Sequence, residues 1–152
     1  MQVFVTDKNP VTSARRLWNN TNRACKMITE TQQILACCQN HFFGKVTILK
    51  KDGTPFKTPK SRINHPCVKW ACSSKSNVSW LIYYLDALMT FYEGEGFQNV
   101  DSNISVLLSQ DWSYNEPIQF LNFAKADAKG LDFTHVENVF DAYDQFLKQQ
   151  GA

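Results

Sequence analysis

No apolar stretch in this chain reaches the ~18–20 residues that a membrane-spanning helix requires, and the first residues do not run from positive charge into an apolar segment as a signal peptide does. Both absences lead us to expect a cytoplasmic protein with no membrane partner. A glycine-rich phosphate loop is also missing, which removes the main argument for small-nucleotide chemistry and implies no cofactor. Cysteines number five, an odd count without the spacing of a disulfide framework, and this fits a reducing compartment. Cys37, Cys38, His41, His65, Cys67 and Cys72 can be gathered into a zinc site on paper. Their spacing matches no strong metal pattern, so the thiols are read as small buried groups and no metal is assigned. Repeats, low-complexity tracts and linkers are lacking too, and the expectation is one helical domain over residues 1–152.

Acidic residues are scarce in one half. Residues 1–75 hold three Asp/Glu against thirteen Lys/Arg, whereas residues 76–152 hold eleven against three. The net charge of +2 hides this asymmetry. A basic half can hold phosphates, and an acidic half can repel them or complement the basic half internally.

What the chain does have is a helix signal running from Asn22 past Leu35. At 100° per residue, Ala24, Met27, Ile28, Thr31, Ile34, Leu35, Cys38 and Phe42 share one face, as in a helix packed on a core. Arg23, Lys26, Glu30 and Gln33, spaced 3, 4 and 3 apart, form a second row beside that face, at the expected edge of a cleft. The plain alternative is an exposed i,i+4 pair between Lys26 and Glu30, which would add only about 0.3–0.5 kcal/mol. Cys25, Thr29, Gln32 and Ala36 make the far side small or neutral.

The rest of the chain sorts into further helices. Asn9-Pro10 predicts a short helix with Pro10 near its first position or Thr12 as its cap, and Asn20 or Thr21 caps the helix described above. Between residues 45 and 60, Lys51-Asp52-Gly53 separates two β-prone arms, predicting a small basic hairpin or loop insertion; Pro55 and Pro59 restrict its second arm to an edge. This arm carries Lys50, Lys51, Lys57, Lys60 and Arg62, suited to phosphate contact or to a solvated loop. Pro66 fits the first position of a helix capped by His65 or Asn64, whose free backbone N–H groups could take an anion. A long aromatic helix is expected over 76–92 and a shorter one near 101–109. Residues 110–133 read as an irregular connection with one short helix, and Thr134-x-x-Glu137 reads as the capping box of a last helix.

Several of these stretches occur together in a known group. Met1-Gln2-Val3-Phe4, Ser13-Ala14, Arg23-x-x-Lys26-x-x-x-Glu30-x-x-Gln33-Ile34-Leu35, Asn64-His65-Pro66 and Trp70 appear in that order before a long aromatic helix. The order, over about residues 1–95, resembles small phage and bacterial proteins described as similar to pyrimidine-dimer DNA glycosylases of the phage endonuclease V type. Phe123-Ala124-x-Ala126, Val136-Glu137 and Ala142-Tyr143 loosely continue it. The resemblance implies an all-helical fold, DNA as partner and a glycosylase/lyase mechanism, in which an amine attacks the sugar C1′ while a carboxylate stabilises the positive charge developing there. Glu30 is then the carboxylate, and Arg23 and Lys26 hold flanking phosphates. In the glycosylases the amine is the main-chain amine of a small residue exposed by loss of the initiator Met. Here Gln2 is large, which keeps the terminal amine on Met1; the Lys26 amine is the substitute.

The site expected from sequence therefore comprises Glu30, Lys26 and Met1 for chemistry, and Arg23, His65, Asn64, Lys50, Lys51, Lys57, Lys60 and Arg62 for nucleic acid. Two functional classes remain open. One is a DNA-binding protein of phage type, with or without glycosylase/lyase chemistry on damaged or modified bases. The other is a non-enzymatic phage protein that binds and modulates a host protein, suggested by the acidic second half and by Trp112, Tyr114 and Phe120 as exposed aromatics.

Overall fold

Helices dominate because the apolar spacing along most of the chain is helical and turn-forming residues interrupt it at intervals. The computed structural model describes residues 2–92, 94–113 and 116–149. Among them are seven α-helices: α1 (Pro10–Arg15), α2 (Thr21–Phe43), α3 (Lys60–Ile63), α4 (Pro66–Cys72), α5 (Lys75–Phe91), α6 (Val100–Leu108) and α7 (Val139–Gln149). An antiparallel pair of two-residue strands, β1 (Lys125–Ala126) and β2 (Leu131–Asp132), completes an all-α architecture with a small hairpin. None of the helices is long and apolar enough to cross a membrane.

Local chemistry accounts for the helix ends. Asn9 accepts from the backbone N–H groups of Val11 and Thr12, with Pro10 at the first helical position, so Asn9 rather than Thr12 caps α1. Asn20 accepts from Arg23 N–H at 3.0 Å and starts α2. At its other end Gly44 adopts φ 74°, a left-handed conformation that glycine enters without a Cβ penalty, and its N–H closes on Asn40 O. The proposed Thr134–Glu137 capping box does not form. Thr134 turns back to Asp132, and Asn138 accepts from Asp141 N–H at 3.1 Å to start α7.

The expected face of α2 is inside: Ala24, Met27, Ile28, Thr31, Ile34, Leu35 and Cys38 are all buried. Helix α5 packs on α1, α2, α4 and α6, while α2 also packs on α4. Of the supposed far side of α2, Gln32 and Ala36 are buried, as are Cys37 and Gln39, whereas Cys25 is half-buried and Thr29 exposed. Burying amides requires partners for them. Gln39 Oε1 accepts from Thr47 N–H and Ile48 N–H at 3.0 and 3.2 Å, and Gln39 Nε2 donates to Gln110 Oε1 at 2.8 Å. Gln32 Oε1 accepts from Asn103 Nδ2 at 2.7 Å.

This amide network also holds the first arm of the basic segment between 45 and 60. Asn103 acts as a surrogate strand for Leu49, accepting from its N–H at 2.9 Å and donating to its carbonyl at 2.8 Å. Gln39 takes the two preceding N–H groups, and the arms meet in a single bridge, Leu49 to Pro55, beside which Phe56 N–H donates to Ile48 O. The Asp-Gly turn is present all the same: Lys50 N–H donates to Thr54 O and Gly53 N–H to Lys50 O. The strand pair forms further on, within the stretch read as irregular, where Gly130 turns the chain at φ 66°.

Truncating Asn103 to Ala leaves the Leu49 backbone and Gln32 without these partners. It should cost about 1–3 kcal/mol, read as a lower denaturant midpoint with an unchanged slope. An unchanged midpoint would show that the amides carry no stability.

Candidate functional site

Arg23, Lys26 and Glu30 project from α2 into one cleft of about 860 Å³. His65 and Pro66 border it from the start of α4. Gln2 and Phe4 come from the amino-terminal segment, and Lys125, Asp127 and Lys129 come from the β1–β2 turn. The turn is held to the amino-terminal segment by Gln2 Nε2, which donates to Phe123 O at 2.6 Å and Lys125 O at 3.0 Å. Lys125 and Lys129 were not read from the sequence as site residues. They lie in the acidic half, about a hundred positions from α2, and no local pattern links them to it.

Within this cleft Arg23 is partly desolvated, which lowers its pKa, while Glu30 acts in the opposite direction. Its guanidinium lies 4.9 Å from the centre of the Phe4 ring, a cation–π arrangement that holds the head group against the apolar floor. Among the described residues the ion pairs are Arg16–Asp144, Lys50–Asp52, Lys125–Asp127 and Lys148–Asp144. Lys26 and Glu30 are therefore not paired with each other, and the simple i,i+4 surface pair is not realised. Half-buried Glu30 and exposed Lys26 instead share a cleft wall.

His65 serves as the cap of α4. Its Nδ1 accepts from Cys67 N–H at 3.1 Å, and its carbonyl accepts from the N–H groups of Val68 and Lys69. These donors are consumed internally, which overturns the expected anion site at the start of this seven-residue helix. Burial lowers the His65 pKa, with Glu30 acting weakly the other way. The Cys67 bond has the same sense, because it needs Nδ1 unprotonated.

A second cleft, of about 560 Å³, lies along the neighbouring face of α2. Thr29, Gln32 and Gln33 form its helical wall, and Lys50, Lys51, Asp52, Lys57 and Arg62 supply its charge. Gln33 thus leaves the row in which spacing placed it and faces the other cleft. Arg62 Nη1 donates to Lys57 O at 2.8 Å, which orients the guanidinium. Lys51 Nζ sits 5.2 Å from the centre of the Phe97 ring. Glu30 and Gln33 are one turn apart on α2, so the two clefts adjoin along a single helix edge.

Not every expected residue joins them. Lys60 begins α3 and Asn64 follows it, and neither lines a cleft. Met1 and Tyr114 lie outside the described residues. Trp112 and Phe120 are not exposed aromatics. Trp112 is buried against Phe42 and Phe43, and half-buried Phe120 packs on Trp70, Trp80 and Phe140. Among the described residues no group of three or more His, Cys, Asp or Glu is arranged to hold a metal.

The chain matches no protein family, no curated protein and no solved structure.

The depressed His65 pKa sets a pH dependence. Because the folded-state value lies below the ordinary 6.5, the unfolded chain binds the proton more readily. The stabilisation is complete above about pH 6.5 and fades as pH falls through the folded-state value. His65→Asn keeps a capping acceptor and should flatten this acid-side loss in thermal melts taken between about pH 7.5 and about pH 5. An unchanged pH profile would remove His65 as its source.

Proposed function

We propose that the protein binds DNA along the edge of α2, with backbone phosphates in the second cleft and a nucleotide facing Glu30 in the first. One observation carries this reading. Eight Lys/Arg side chains against three carboxylates line two clefts that adjoin on one helix. A polyanion gains from such a track because each neutralised phosphate releases condensed counterions. An isolated anion would occupy only one part of it.

The composition of the first cleft supports a further step, glycosylase/lyase-like action on a damaged or modified base. A carboxylate among cations can stabilise an oxocarbenium-like sugar while neighbouring Lys/Arg hold the flanking phosphates. Glu30 has that position beside Arg23, Lys26 and Lys125. The base would have to leave the stack to reach it. Lys26 supplies the amine for attack on C1′ among the described residues, and the Met1 amine is the other candidate. On this reading the protein works in the cytoplasm, that of the host cell if it is phage-encoded. The alternative of a host-binding protein loses two of the aromatics that motivated it, since Trp112 and Phe120 pack internally.

Fluorescence anisotropy with labelled duplex DNA across a salt series tests the binding. Affinity should fall linearly on logarithmic axes, and Ala at Lys50, Lys51, Lys57 or Arg62 should each reduce the slope by about 0.9. Absence of salt-dependent binding would sink the proposal. Borohydride reduction on abasic and dimer-containing duplexes separates the chemistry from the binding. A covalent adduct that disappears in Glu30→Gln supports the lyase step, whereas binding without an adduct assigns the protein as a DNA reader.

A further inference from the structure

Away from both clefts, two cysteines from different helices meet. Cys38 is fully buried on the core face of α2. Cys72 is the last residue of α4 and is half-buried. Their sulfurs lie 3.8 Å apart. Formation of a disulfide brings sulfurs to about 2.05 Å, so the remaining approach is short and the two helices already pack on each other.

We propose that Cys38 and Cys72 form a reversible oxidation site, in which a peroxide oxidises Cys72 and Cys38 resolves the product as a disulfide joining α2 to α4. This assignment is independent of the DNA reading. The two positions differ as an attacking and a resolving thiol should. Cys72 has access to solvent, and its pKa is lowered by its hydrogen bond with Cys38. Burial raises the Cys38 pKa well above the ordinary value, so Cys38 holds its proton more firmly than Cys72 does. Neighbouring thiols are less suited. Burial pushes Cys37 and Cys67 up to about 11, and Cys25 lies elsewhere, 3.1 Å from the Tyr92 hydroxyl.

The chemistry balances with hydrogen peroxide as the oxidant. The Cys72 thiolate attacks one peroxide oxygen, the O–O bond breaks and hydroxide leaves to take up a proton as water. Cys72 is thereby oxidised to a sulfenic acid. The Cys38 sulfur then attacks the Cys72 sulfur, an S–S bond forms, and the S–O bond breaks. The departing hydroxide takes the Cys38 proton and leaves as a second water. A dithiol reductant returns both thiols by exchange. Intracellular disulfides are commonly transient and redox-sensing, which suits a pair that lies in contact but unjoined.

The placement gives the bond a mechanical consequence. Helix α4 carries His65 at its start and Cys72 at its end, and α2 carries Glu30 two turns before Cys38. A covalent tie away from the cleft fastens the two helices that both border it. It also closes a loop in the unfolded chain, and the oxidised protein should melt at a higher temperature than the reduced one.

The reduced full-length protein is exposed to hydrogen peroxide, its remaining thiols are alkylated, and its peptides are mapped without reduction. Expected are a Cys38–Cys72 cross-link, a whole-protein mass lower by two hydrogens, three of the five cysteines still alkylated, and full reversal by dithiothreitol. In Cys38→Ala, dimedone should label Cys72 as a stalled sulfenic acid. In Cys72→Ala, peroxide should form no cross-link to Cys38. Stepwise overoxidation of wild-type Cys72 without a cross-link would overturn the assignment, as would a dominant bond through Cys37. Should Cys38→Ala fail to fold by circular dichroism, the wild-type peptide map decides alone.

Discussion

Helix α2 is covered around much of its circumference, and the amides it carries inward need partners. This constraint shapes its surroundings. Gln32 and Gln39 cannot face water, so each recruits a neighbour: Asn103 of α6 for the first, and the backbone of Thr47 and Ile48 with Gln110 for the second. The bonds tie the 47–48 backbone, Asn103 and Gln110 to one helix with fixed geometry, which apolar contacts alone do not impose. Removing any member exposes the others to the cost of an unmatched buried amide.

The same network determines where charge is displayed. By bonding the backbone of residues 47–49, Gln39 and Asn103 fasten the basic segment beside α2. Its lysines then border a cleft instead of extending into solvent as a free arm. On the adjoining face, the β1–β2 turn brings Lys125 and Lys129 to the helix-borne row. The strong charge division between the two halves of the sequence is thus only partly a division in space. The acidic half supplies cations to the first cleft, and Asp144 pairs with Arg16 of the basic half. Glu30 stands among these cations without a lysine partner on its own helix, and this is what makes its position chemically distinctive.

Helix α4 connects the cleft to the thiol pair. Its first turn is closed by His65, whose ring is both cap and cleft wall, and its last residue rests against Cys38. Between these ends, Trp70 is anchored through its indole N–H to Gln119 O at 2.7 Å. A rigid strut of two turns therefore spans from the polar site to a buried sulfur contact.

The amphipathic face of α2, the caps at Asn20 and His65, the turn at Gly53 and the adjacency of Arg23, Lys26 and Glu30 follow from short-range rules. Spacing along a helix and capping chemistry depend on residues within a few positions of one another, so the sequence by itself determined them. The reading failed where local signals competed with distant partners. Thr134–Glu137 yielded its capping role to Asn138, since Thr134 was already held by Asp132. Aromatics that looked exposed found rings far along the chain. Lys125 and Lys129 joined the cleft, Gln33 crossed to its neighbour, and Cys72 came into contact with Cys38. Tertiary structure alone decided these, because each is a meeting of groups whose distance in space has no counterpart in their spacing along the sequence.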